Sequence, residues 1–233
     1  MNTPMVSVAL IVYNHENFLN DAFEGIFMQE VNFPFEVVVS NDCSTDNSKQ
    51  IIEDWQARFP DIIKILDNPS NLGMNKNWEK CIRNCSGKYV ALLEGDDAWI
   101  NKGKLQNQVD VLEGNSEVVL SATNAQVDQF EAKERHPDYS DYPTGEYRIP
   151  DLLKNQFIPT CSVVFQNDCL PPSFPDFFYS SPMVDYLVHL MVMKHGLLHY
   201  SNQCTSVYRL HSSGEWGKLD DLGRLQHQYK GLS

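Results

Sequence analysis

The stretch Phe35-Glu36-Val37-Val38-Val39-Ser40-Asn41-Asp42-Cys43-Ser44-Thr45-Asp46 decides the fold. Val37, Val38 and Val39 are β-branched and apolar on both faces, the pattern of a parallel strand covered by helices on each side. The polar run after them reads as the strand end and a helix start, with Thr45 or Asp46 capping a helix that carries Ile51, Ile52 and Trp55. Upstream, Val6–Tyr13 reads as a strand and Asn17–Gln29 as a helix. Downstream, Ile62–Asp67 and Tyr89–Leu93 read as strands separated by a helix over Met74–Asn84. This βαβαβαβ order predicts an α/β fold with a mostly parallel sheet flanked by helices. Ligands of such sheets collect at the carboxyl ends of the strands. The places to search are therefore Tyr13-Asn14, Ser40-Asn41-Asp42 and Glu94-Gly95-Asp96-Asp97, all polar.

Beyond Lys104 the pattern predicts an amphipathic helix (Leu105, Val109, Leu112) and a strand near Val118–Ala122. The polar, Pro-bearing segment from Asp128 to Pro150 reads as a loop or insertion. A short strand over Ser162–Phe165, a connector with Pro171, Pro172 and Pro175, and an apolar helix over Val184–Lys194 follow. A strand pair at Leu197–Tyr200 and Thr205–Tyr208 leads into a polar tail with helical potential. The chain reads as one domain over 1–233, with a first half to residue 115 and a less periodic second half over 116–233. Phe174, Phe177, Phe178 and Tyr179 are expected as exposed aromatics of a groove or subunit interface.

The chain has 233 residues, 31 acidic against 18 basic, a formal net charge of -13, and no dense Lys/Arg run. That excludes disordered and fibrous classes and argues against nucleic-acid partners. Phosphate handling, if present, must be local, through a metal ion, backbone amides or a few placed cations. The six cysteines show no metal-type spacing and read as reduced thiols. The opening residues lack a basic segment with a cleavage site, so a cytoplasmic location is expected, with any membrane contact peripheral.

Three carboxylates converge at the end of the strand Tyr89–Leu93, and their mutual repulsion calls for a cation; hard oxygen ligands suit Mg²⁺ or Mn²⁺. The competing reading is a solvated acidic turn. Asp42 exceeds what helix capping requires and has the chemistry to accept hydrogen bonds from a base or sugar. Tyr13 has the shape to lie beneath a nucleobase, or simply to pack.

Together these motifs resemble the family 2 glycosyltransferases of the GT-A fold. The resemblance runs through Val6–Asn14, Asn41-Asp42-Cys43-Ser44-Thr45-Asp46, Asn71-Leu72-Gly73 and Leu93-Glu94-Gly95-Asp96-Asp97-Ala98-Trp99. It extends to Val184-Asp185-Tyr186 and Val207-Tyr208-Arg209-Leu210-His211. It implies that Tyr13, Asp42 and the backbone of Ile11 hold the nucleobase. Asp96 would lie at the ribose or metal, and Asp97 would bind the divalent Mn²⁺ or Mg²⁺ that bridges the donor's diphosphate. His211 would complete the metal shell or approach the diphosphate, Arg209 would pair with a phosphate or a site carboxylate, and Trp216 would stack on a sugar.

Asp185, at the start of an apolar helix, is the candidate general base, with helix capping as its plain alternative and Asp176 as a rival. Glu94 replaces the family's usual Asp, Asn41 an acidic residue, and Cys43 a common Gly. His15, His136, His189, His195, His199 and His227 show no ligand spacing and receive no role. The implied activity is inverting transfer from a nucleotide sugar, UDP-linked by default, to a saccharide or lipid-linked acceptor in bacterial surface polysaccharide synthesis. A catalytically silent nucleotide-sugar-binding module is the alternative. A nucleotidyltransferase is disfavoured because Tyr13–Asn17 lacks a Gly-rich, cationic phosphate loop.

Overall fold

The computed structural model describes residues 3–129, 142–211 and 214. Strands β1 (Val6–Val12), β2 (Phe35–Asn41), β3 (Ile63–Asp67) and β4 (Tyr89–Glu94) alternate with helices α1 (Leu19–Phe27), α2 (Ser48–Arg58) and α3 (Met74–Arg83). All four strands are parallel in the order β3-β2-β1-β4, with Leu10 level with Val39 and Leu93. The elements fall within a few residues of the sequence expectation.

Both faces of this sheet are covered, which is why its strands are apolar throughout. Val8, Leu10, Val37, Val39, Ala91 and Leu93 pack with Phe23, Ile26, Ile52 and Trp55 of α1 and α2. Ala9, Ile11, Val38, Val90 and Leu92 pack with Trp78, Cys81 and Ile82 of α3. Residues i and i+2 share a face in a strand, so the two cores divide the same run of sequence between them.

The sheet continues through β8 (Val164–Gln166) and β6 (Val118–Gln129) to β9 (Leu197–Leu210) and the short β5 (Ala98–Trp99), with β7 (Gly145–Tyr147) also paired to β9. β4 and β8 are antiparallel, as are β6 and β8, whereas β6 and β9 run parallel. Helix α4 (Lys104–Gly114) leads into β6, α5 (Ile149–Lys154) follows β7, and α6 (Val184–Met193) precedes β9.

The second half departs from expectation in four places. The expected strand pair near 197–208 is one continuous strand, because the polar Asn202 and Gln203 are taken up as a bulge between Ser201 and Cys204, which pair with Thr123 and Asn124 of β6. The expected loop after Asp128 holds β7 and the start of α5, while residues 130–141 lie outside the described residues. The strand expected at Ser162–Phe165 begins later, at Val164, after a 3-10 turn over Thr160–Ser162. Phe174 and Phe178 are buried and stacked on each other, and only Phe177 and Tyr179 of the expected aromatic patch are exposed.

Candidate active site

The loops after β1 and β2 are laced together by side chains. The Asn14 amide donates to Ser44 Oγ, the His15 amide to Ser48 Oγ and the Glu16 amide to Asp46 Oδ2, each at 2.9 Å. In return the Thr45 amide donates to Asn14 Oδ1 at 2.7 Å, and the Asn47 amide to Glu16 Oε2 at 2.9 Å. Asp46 Oδ1 also accepts the Ser48 amide, but the N-cap residue of α2 is Asn47, one position beyond the Thr45 or Asp46 expected. Asn14 and Cys43 both sit in the left-handed region, with φ of 58° and 60°. Cys43 therefore occupies a conformation natural to the Gly that the resemblance placed there.

Asp42 is buried, and its carboxylate is turned onto the next loop. Oδ1 accepts the Leu72 amide at 2.7 Å and Asn68 Nδ2 at 3.2 Å, while Oδ2 accepts the Gly73 amide at 3.0 Å. Gly73, with φ of 82°, makes the turn that admits the chain into α3. Any base bound by Asp42 must share oxygens already engaged. The Ile11 carbonyl accepts the Gly95 amide at 2.9 Å, so the backbone offered to a base there is committed within the sheet. Tyr13, just past β1, is 46% exposed and has an open ring.

At the end of β4 the carboxylates divide. The Asp97 side chain points inward: the residue is 1% exposed, Oδ1 accepts the Arg209 amide at 2.9 Å, and Oδ2 is buried with no hydrogen-bond partner. Asp97 thus anchors the end of β9 through Oδ1, and Oδ2 is the oxygen left for the metal contact that the resemblance implies. Asp96 takes the open side instead, its Oδ2 lying 3.0 Å from His211 Nε2 and 3.6 Å from His15 Nε2. Burial would raise the Asp96 carboxyl, but the two imidazoles outweigh it and hold the group below its ordinary range.

Glu94 is pushed well above its ordinary value by burial and then by the charges of Asp96, Asp97 and Asp185. The turn is not simply solvated: Asp97 is buried and Asp96 is turned onto His211 and His15.

The Arg209 guanidinium is already engaged within the protein. Its Nη2 donates to Asp21 Oδ2 at 2.7 Å and its Nη1 to the Asp96 carbonyl at 3.1 Å, so it pins the β4 turn to α1. Trp216 lies outside the described residues.

Asp185 stands in the first turn of α6, but its side chain does not cap the helix. Its Oδ2 accepts the Thr160 hydroxyl at 2.5 Å, and its charge reaches Glu94. Asp176 is exposed in a 3-10 turn near Tyr179. Of the two rivals, Asp185 is the one whose charge acts on Glu94. His15 and Thr160 received no role from the sequence. His15 follows β1 directly, within the region that strand topology marks, whereas Thr160 carries no sequence signal.

The donor set can be tested against a divalent ion. Among the described residues no three His, Cys, Asp or Glu side chains form a ready-made cation cage. Mg²⁺ does not need one, since it is held by one or two carboxylates with substrate phosphates and water at about 2.0–2.1 Å. Asp96 Oδ2, now hydrogen-bonded to His211 Nε2 at 3.0 Å, is the carboxylate on the open side that such an ion would use. Mutually repelling carboxylates and a buried, unpartnered Asp97 oxygen complete a set that fits such an ion.

The family model for glycosyl transferase family 2 matches residues 7–169, which takes in every donor-side loop described above. The chain belongs to glycosyl transferase family 2. Among relatives of this family 2 member, the uncharacterized protein Rv1520 of Mycobacterium tuberculosis is 30% identical over 215 residues, covering 91% of this chain and 60% of that protein. The chain thus spans about 60% of the length of the curated relative it matches there. TuaG of Bacillus subtilis, a provisionally assigned teichuronic acid biosynthesis glycosyltransferase, is 26% identical over 91% of this chain and 83% of its own.

Solved structures share the fold. Staphylococcus aureus TarS 1-349 in complex with UDP-GlcNAc superposes with a TM-score of 0.72 at 20% identity, over 92% of this chain and 61% of that one. The mannosyltransferase PcManGT of Pyrobaculum calidifontis, in complex with GDP-Man and Mn²⁺, gives 0.71 at 16% identity over 100% and 64%. The family 2 chain therefore has the GT-A-type mixed α/β architecture. None of its described helices is long and apolar enough to cross a membrane.

Proposed function

We propose that this chain catalyses inverting transfer of a sugar from a nucleoside diphosphate sugar, UDP-linked, to a saccharide or lipid-linked acceptor in surface polysaccharide synthesis. The observation that carries the reading is the meeting of two groups from opposite ends of the chain. Asp96 and His211 face the donor edge of the sheet, and Asp185 faces the same acidic cluster from α6. The UDP-GlcNAc bound by TarS supports the donor class, and the pathway named for TuaG supports the product class. Residues 1–115 form the donor half and 116–233 the acceptor half, with the end of β9 reaching back to the donor site.

Tyr13 stacks on the base, and Asp42 orders the 71–73 loop beside it. Asp96 and His211 would hold Mn²⁺ or Mg²⁺, with the Asp97 carboxyl buried behind them on the Arg209 amide. Such an ion supplies stabilisation of the charge that develops on the departing diphosphate. Asp185 takes the acceptor hydroxyl's proton as that oxygen bonds to the anomeric carbon, and the bond from that carbon to the diphosphate oxygen breaks. The nucleoside diphosphate leaves from the opposite face, which inverts the configuration. Thr160 fixes the Asp185 carboxylate for this step through Oδ2. Six free cysteines, four of them buried, fit a reducing cytoplasmic setting.

The test separates binding from chemistry. Asp185→Asn should keep UDP affinity by calorimetry while transfer falls by about 10²–10⁴, the usual contribution of a general base. Asp96→Asn should lose cation-dependent UDP binding. Full transfer activity in Asp185→Asn would overturn the assignment of the base, and unchanged binding in Asp96→Asn would overturn that of the donor site.

A further inference from the structure

His15 stands where the loop after β1 meets the end of β4. Its amide is held by Ser48 Oγ at 2.9 Å, and its carbonyl accepts the Phe18 and Leu19 amides that start α1. The ring has a fixed seat. A Cβ at position 95 would come within 2.8 Å of His15 Nδ1, so glycine there leaves the ring its place over the strand end.

The two ring nitrogens have different surroundings. Nδ1 is fully buried and has no hydrogen-bond partner, whereas Nε2 faces Asp96 Oδ2 at 3.6 Å. A buried N–H without an acceptor is rarer and more costly than an unshared acceptor lone pair. The proton of the neutral ring therefore belongs on Nε2, directed at the Asp96 carboxylate. A metal-ligating histidine needs the reverse arrangement, a free lone pair toward the ion and its other N–H on a partner. His15 has no such partner at Nδ1 and so is unsuited to be a ligand.

We propose that His15 is a positioning residue for Asp96: its Nε2–H closes onto the carboxylate from one side and turns it, beside His211, toward the cation of the nucleotide donor. This inference rests on the donor site assigned above. It places His15 behind the carboxylate, on the same oxygen that His211 Nε2 meets at 3.0 Å. Outer donors of this kind commonly change metal affinity 10- to 100-fold when removed.

The test titrates Mn²⁺ into the whole chain with UDP, and separately with GDP, and reads free Mn²⁺ by electron paramagnetic resonance. His15→Leu should weaken Mn²⁺ uptake by about 10-fold or more. His15→Gln, whose amide nitrogen reaches the Nε2 position, should restore most of it. His15→Asn, whose nitrogen reaches only the Nδ1 position, should not. The Gln and Asn pair keeps the test informative should the leucine variant fail to fold. Equal behaviour of Gln and Asn, or wild-type uptake in a folded His15→Leu, overturns the role of His15 while leaving the donor site intact. Unchanged uptake in Asp96→Asn, or no uptake by the wild type with either nucleotide, overturns the site and the role together.

Discussion

The donor edge and the acceptor side of this molecule are built by different means. At the donor edge nearly every polar side chain is committed to a neighbouring loop: Asn14 to Thr45, Asp46 to Ser48 and Glu16, Asp42 to Leu72 and Gly73. On the acceptor side Asp185 has the Thr160 hydroxyl. One turn along α6, His189 is wholly buried with both ring nitrogens unpartnered. The contrast teaches that the loops of the nucleotide face are tied to one another by side chains before any ligand arrives, whereas the side that meets the acceptor buries a whole imidazole with neither nitrogen partnered. Between them runs a polar seam. Gln108 Nε2 donates to the carbonyls of Ser121 and Ser162 at 2.9 Å, Lys104 Nζ donates to Gln108 Oε1 at 2.7 Å, and Trp99 Nε1 to the Cys161 carbonyl at 2.7 Å.

The largest stability effect is expected at that seam. Lys104 is buried, and desolvation pushes its ammonium down to about 7 from 10.5. The unfolded chain binds this proton up to 10.5, and the folded chain only up to about 7, so between those values stability rises with pH. The whole span amounts to about 4–5 kcal/mol, from about 1.4 kcal/mol per pH unit. Measured by urea unfolding, wild type should gain about 2–3 kcal/mol on Lys104→Met between pH 7 and pH 9. The subtraction cancels the buried thiols, Cys81 among them, which are raised and act in the opposite sense. A constant difference across that range would mean that the seam is wet, and that the two halves are not joined by a desolvated network.

The same contrast explains what was legible in the sequence. Strands β1, β2 and β4 were readable because burial on both faces imposes uninterrupted apolar runs such as Val37-Val38-Val39. β9 was not, because Ser201-Asn202-Gln203 carries the residues of a turn, and only pairing with β6 on either side makes it a bulge within one strand. The acidic cluster was readable from spacing, but its division was not. Whether Asp96 or Asp97 faces outward depends on the Arg209 amide, more than a hundred residues away. His15 was likewise passed over, since its pairing with Asp96 exists only once β1 and β4 lie side by side.

A smaller effect should appear on the acceptor side alone. Burial lowers His189 to about 4 from 6.5, against the opposing charge of Asp185. The unfolded state takes up the proton first as pH falls, so stability present above 6.5 is lost progressively toward 4, to a total of about 3 kcal/mol. His189→Leu should lack this component and should exceed wild type in stability at pH 5, as read by denaturant midpoints. Equal acid slopes in the two proteins would mean that His189 is hydrated, and the acceptor side would then be no less satisfied than the donor edge.

The smallest effect tests the donor edge by opposite signs at one backbone conformation. Cys43 and Asn14 share a left-handed φ near 60°. Cys43 is exposed and has only the strain of that region, which glycine escapes at the cost of a more flexible unfolded chain. Cys43→Gly should therefore stabilise by about 0.5 kcal/mol. Asn14→Gly relieves the same strain but removes the Oδ1 that accepts the Thr45 amide, a bond contributing about 1 kcal/mol, and should destabilise. Urea midpoints that move in opposite directions would place the rigidity of the nucleotide face in its side-chain lacing. Both moving upward would place it in the packing of the strands beneath, and the lacing would then serve the shape of the ligand-free loops more than their stability.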